Sequence, residues 1–68
     1  MNRQTFLNHA APVPVHINGT NLTAFPKEFS TKSLGWNISQ KIELLVNGEP
    51  VRVQVGLNLT IVGSKEMA

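Results

Sequence analysis

One stretch limits what this chain can become more than any other. From Leu34 to Val62 the sequence reads LGWNISQKIELLVNGEPVRVQVGLNLTIV, with apolar residues alternating on both sides of Asn47-Gly48. Asn-Gly between two alternating runs is the strongest short-range hairpin signal, because a type I′ turn needs positive φ at both central residues. A two-residue loop there sets Val46 opposite Glu49 and fixes every later pair. Leu44 then faces Val51, Ile42 faces Val53, Ile38 faces Leu57, Trp36 faces Leu59 and Leu34 faces Ile61. The other face pairs Glu43 with Arg52, Lys41 with Gln54, Asn37 with Asn58 and Gly35 with Thr60. Only Gln40 opposite Val55 interrupts the apolar row. A slip of one residue would mix the two faces, so the register is strongly specified.

Strands this long are unusual in a small domain. Gly56 opposite Ser39 is the expected place for a bend that wraps the apolar face inward. A separate turn at Asn37 to Gln40, splitting the long hairpin, is the competing arrangement.

A second Asn-Gly pair, Asn18-Gly19, predicts a shorter hairpin over residues 13 to 25. Its register sets Ile17 opposite Thr20, His16 opposite Asn21, Val15 opposite Leu22, Pro14 opposite Thr23 and Val13 opposite Ala24. Val13, Val15, Leu22 and Ala24 make its apolar face. Pro14 has no amide proton to give a ladder, so it marks an edge strand. Shared turn chemistry explains the likeness of the two hairpins without duplication.

The remaining segments carry less pattern. Residues 1 to 11 show no sustained period, and Pro12 and Pro14 stop any helical turn in TFLNHAA, so a flexible or loosely packed arm is expected there. Residues 26 to 33, PKEFSTKS, read as a polar connector with Phe29 turned inward. Residues 64 to 68 read as a polar tail, leaving 12 to 63 as the single β domain. The expected fold class is all-β: a small antiparallel sheet of four to five strands, bent into a barrel-like or two-layer arrangement. Its expected core is Val13, Val15, Ile17, Leu22, Leu34, Trp36, Ile38, Ile42, Leu44, Val51, Val53, Val55, Leu57, Leu59 and Ile61.

Length and composition narrow the function classes. A chain of 68 residues makes one domain, and one this small buries only about 60% of its unfolded surface. With no cysteine, it has no disulfide, no thiolate metal site and no cysteine nucleophile to offset that deficit. A partner subunit or tight closure of the sheet remains. The formal charge of +2 leans mildly towards anionic partners. No run approaches the ~20 apolar residues of a membrane helix, and the first residues lack the apolar core of a secretory signal. A soluble, cytoplasmic protein without membrane contact is expected. Asn18, Asn21, Asn37 and Asn58 begin Asn-X-Ser/Thr triplets, which turns and polar strand faces account for better than glycosylation.

Catalytic constellations are thin. His9, His16 and Glu28 match no zinc-ligand spacing. No nucleophile-elbow signature surrounds the serines, and Gly63-Ser64-Lys65 falls far short of a phosphate loop. The expectation is therefore a non-enzyme with no cofactor, no metal and no catalytic residue. First in order stands a β-rich binding or assembly module whose partner is another protein or a second copy, as a homodimer. Second stands a small barrel that binds single-stranded nucleic acid through Lys27, Lys32, Lys41 and Arg52, with Phe25 as a stacking residue. Phe29 and Trp36 are further aromatics, but Trp36 has the phase of the core. The two readings part on whether those cations share one surface with an exposed aromatic.

Overall fold

The computed structural model describes residues 1–68. Four strands follow a short helix: α1 Arg3–His9, β1 Val13–Ile17, β2 Thr20–Glu28, β3 Leu34–Val46 and β4 Glu49–Thr60. A single 3-10 turn, Ser64–Glu66, closes the chain. The strands form an antiparallel meander in the order β1-β2-β3-β4. The sheet is open and does not close into a barrel.

Both Asn-Gly turns form as the alternation requires. Asn18 and Gly19 have φ of 46° and 79°, and Asn47 and Gly48 have 49° and 77°. These are the paired left-handed conformations of type I′ turns. The β1–β2 register runs from Val13 opposite Ala24 to Ile17 opposite Thr20. The β3–β4 register is unbroken from Gly35 opposite Thr60 to Val46 opposite Glu49, with Ser39 opposite Gly56 and no bulge. The competing turn at Asn37 to Gln40 is thereby excluded.

A third hairpin replaces the expected polar connector. β2 runs on through Phe25, Pro26, Lys27 and Glu28, which pair with Asn37, Trp36, Gly35 and Leu34. Phe29 N–H donates to the Ser33 carbonyl and Lys32 N–H to the Phe29 carbonyl, both at 2.9 Å. Lys32 takes φ of 73°. A tight turn followed by a left-handed residue is the usual three-residue hairpin loop. Its left-handed position normally selects Gly, and Lys stands there instead, which hid the loop from the sequence reading.

β2 serves two pairings in succession. Residues 20–24 pair with β1, and 25–28 pair with β3. The first hairpin therefore leaves the plane of the β3–β4 ribbon and packs over its apolar face. Leu22 and Ala24 from β2 meet Ile38 and Ile42 from β3, and Val13, Val15, Ile17, Leu44, Val53, Val55 and Leu57 flank them.

One short hairpin cannot cover a ribbon this long. Of the expected core, Leu22, Leu34, Ile38 and Ile42 are buried. The other eleven residues are only half-buried, from Val13 on β1 to the whole apolar row Val51, Val53, Val55, Leu57 and Leu59 on β4. The core also includes Ala24, which the alternation put on the apolar face of the first hairpin, and Phe6 and Ser64, which it did not single out. The result is an elongated molecule of 49 × 20 × 15 Å.

The two ends, expected as a flexible or loosely packed arm and a polar tail, form a short helix and a 3-10 turn. Asn2 caps α1 by accepting the Thr5 amide at 2.8 Å, and the helix stops at Ala10 ahead of Pro12. Phe6 is buried with its ring edge-on to Trp36, centroids 5.2 Å apart. The Trp36 indole donates to the Ala11 carbonyl at 2.8 Å. Arg3 gathers both ends: its guanidinium bonds Glu28 at 2.8 Å and the carbonyls of Ser64 and Met67, and its amide bonds the Ala68 carbonyl.

Candidate binding face

The polar face of the ribbon holds most of the candidate residues. Phe25 stands opposite Asn37, which stands opposite Asn58. Opposed residues share a face, so Phe25 lies on the polar side and is 59% exposed. Lys27 shares that face through Gly35 and Thr60. Lys41, beside Gln54, and Arg52, beside Glu43, continue it along the ribbon. At about 3.3 Å per residue, the rows of Lys27 and Arg52 lie about 26 Å apart.

Amides and hydroxyls floor the space between the cations. Asn37 Nδ2 donates to Asn58 Oδ1 at 2.9 Å, and Gln54 Nε2 donates to Ser39 Oγ at 3.3 Å. Where β2 turns away from β3, a cleft of about 260 Å³ opens between Thr23, Phe25 and Lys27 on one side and Asn37, Ser39 and Gln40 on the other. A shallow hollow of about 510 Å³ lies beside it under the 29–33 loop. Lys27 Nζ stands 5.8 Å from the Phe29 ring centroid, within cation–π range.

Lys32 is the exception among the named cations. It sits in the loop, exposed, and lines neither cleft. Trp36 offers no stacking platform, because Phe6 and Ala11 engage its ring. Phe29 is half-buried beneath Lys27. Glu28 is already paired with Arg3.

A second feature is the free edge of β4. The Ile61 amide donates to the Leu34 carbonyl at 2.9 Å, which puts Leu34 and Ile61 at a hydrogen-bonding position of the ladder, with the Leu34 amide going to Ser64 Oγ. Such positions alternate along an antiparallel ladder. The odd-numbered residues of β4 therefore bond to β3, and the even-numbered ones aim their N–H and C=O groups away from it. Those are Pro50, Arg52, Gln54, Gly56, Asn58 and Thr60, all exposed. Pro50, the one with no amide proton, lies at the turn end, where proline is tolerated. The signal for this edge was present in the register but needed the strand order to show that nothing pairs on the far side.

No family model, no curated protein and no solved structure matches this chain.

Proposed function

We propose that this chain is a non-enzymatic assembly module, acting by lending its β3–β4 ribbon to contact with another protein chain. The observation that carries this reading is surface left uncovered. A compact monomer of this mass exposes about 4,200 Å², whereas this chain exposes 4950 Å². The excess of about 700 Å² is close to the ~800 Å² that each partner contributes to a standard interface. The radius of gyration of 14.9 Å likewise exceeds the ~11 Å of a compact chain this long.

Sedimentation velocity with small-angle scattering, over a wide concentration range, tests this. The expected result is a multiple of the 7.5 kDa chain mass, or an elongated monomer that binds the dye ANS on its apolar row. A compact monomer that binds no ANS overturns the reading.

One observation favours a second reading, binding of single-stranded nucleic acid. Phe25, Lys27, Lys41 and Arg52 share one face, with Glu43 the one acid opposing them. The base would stack on Phe25 and the phosphates would meet the three cations. Three phosphate contacts on a single strand give a slope of about −2 in log affinity against log salt. Fluorescence anisotropy with a labelled mixed oligonucleotide at several salt concentrations reads that slope. A flat response, or none, removes this reading.

A further inference from the structure

We infer that the partner is a second copy of this chain, joined edge to edge along β4 in an antiparallel register centred on Val55. This deepens the assembly reading and rests on it.

The β4 edge is long and undefended. Natural sheets blunt their edges with proline, bulges or inward charges. β4 has Pro50 at one end and no bulge, which leaves the amides of Arg52, Gln54, Gly56, Asn58 and Thr60 facing outward in an unbroken series. The opposite edge of the sheet differs. By the same parity, Pro14 and His16 face outward on β1, so proline removes one of its two donors.

The edge also complements itself. A two-fold axis at Val55 sets Val51 opposite the second copy's Leu59 and Val53 opposite its Leu57. It sets Arg52 opposite Asn58 and Gln54 opposite Gly56. Apolar meets apolar on one face, polar meets polar on the other, and no like charges meet. The alternatives are poorer. An axis between Gln54 and Val55 reverses the faces. An axis at Gln54 sets Glu49 against Leu59 inside the paired strands, whereas the Val55 axis leaves Glu49 beyond them, level with Ile61. An axis at Gly56 shortens the pairing to residues 52–60 and opposes glycine to glycine. The free part of the β3 edge is shorter, and pairing it about Ile42 sets Gln40 against Leu44.

The axis makes a sharp geometric demand. Odd-numbered residues bond inward to β3, so Val55 and its copy form a non-hydrogen-bonded pair with Cα atoms about 4.5 Å apart. That separation lies inside the disulfide range. In this cysteine-free chain, Val55→Cys should cross-link to itself under mild oxidation. Asn58→Cys serves as the control, since it stands about 20 Å along the strands from its own copy.

The test combines this cross-link with light scattering of the unmodified chain. The expected result is a particle of twice the chain mass, near-complete Val55→Cys dimer on a non-reducing gel, and little from Asn58→Cys. Gly56→Pro should convert the dimer to monomer with an unchanged circular dichroism spectrum. Its outward amide is lost, while its ring enters space with no atom within 4 Å of the new Cβ. A dimer that fails to cross-link at position 55 and survives Gly56→Pro overturns the β4 interface and leaves the assembly reading standing. An elongated, ANS-binding monomer overturns the second copy and points to a different protein. A compact monomer without ANS binding overturns both.

Discussion

The Ser64 hydroxyl bridges the amide and the carbonyl of Leu34. Ser64 Oγ accepts the Leu34 amide at 2.8 Å and donates to the Leu34 carbonyl at 3.3 Å, with both residues buried. The hydroxyl takes the Leu34 amide that the Ile61 carbonyl would otherwise accept, while the Ile61 amide keeps the Leu34 carbonyl. Ser64→Ala leaves the Leu34 amide buried without a partner, at a cost of about 1–3 kcal/mol. At about 4–8 °C per kcal/mol for a domain this size, the melting temperature should fall by at least that much. An unchanged melt would mean that water replaces the hydroxyl.

Burial separates two residues of the same apolar row. Ile38 is 2% exposed, whereas Leu44 is half-buried opposite Val51. Ile38→Asp must desolvate its carboxylate inside the core and should abolish the native spectrum. Leu44→Asp can keep its charge in water, so the monomer should fold with a lowered melting point. Circular dichroism of the two variants distinguishes them, and equal damage would mean that the distal ribbon is covered.

Two glycines in the β3–β4 ladder should respond in opposite directions. A Cβ at Gly35 would run into the carbonyl oxygen of Leu59, so Gly35→Ala must push β3 and β4 apart. A Cβ at Gly56 meets nothing, and an interior strand glycine costs about 0.5–1 kcal/mol relative to alanine. Gly35→Ala should therefore unfold at lower denaturant and Gly56→Ala at higher, as urea titration will show.

Phe6 is the one buried residue of helix α1. Phe→Ala in a core costs about 3–5 kcal/mol, and a chain of this length has only about 3–10 kcal/mol in total. Phe6→Ala should undock α1 and expose Trp36. The one tryptophan reports this directly, as a red shift of its emission. No shift would mean that the Trp36–Ala11 hydrogen bond holds the ring without Phe6.

Lys32 occupies a left-handed position at φ 73°. For a residue with a Cβ that conformation costs roughly 1–2 kcal/mol. Lys32→Gly should raise the melting temperature, and Lys32→Ala should not. Because Lys32 lines neither cleft of the polar face, neither change should alter any salt-dependent oligonucleotide affinity.

What the sequence by itself determined was local. Asn-Gly permits only a narrow set of turns, and alternation of period two then allows one register. Those two facts placed Val13 opposite Ala24 and Gly35 opposite Thr60 without reference to the rest of the molecule. They also placed Lys41 and Arg52 on one face. The remaining decisions belonged to tertiary structure. A seven-residue helix is too short to persist alone, so α1 exists because Phe6 finds Trp36. Ser64 is a polar residue in a polar run until the Leu34 backbone claims it. The 29–33 loop lacks its usual glycine and needed the β2–β3 pairing to define it, which brought Phe25 and Lys27 onto the face of Asn37. Burial was decided last and least locally. A residue on an apolar face is buried only if another element reaches it, and the first hairpin reaches Ile38 and Ile42 but covers the apolar row of β4 only partly.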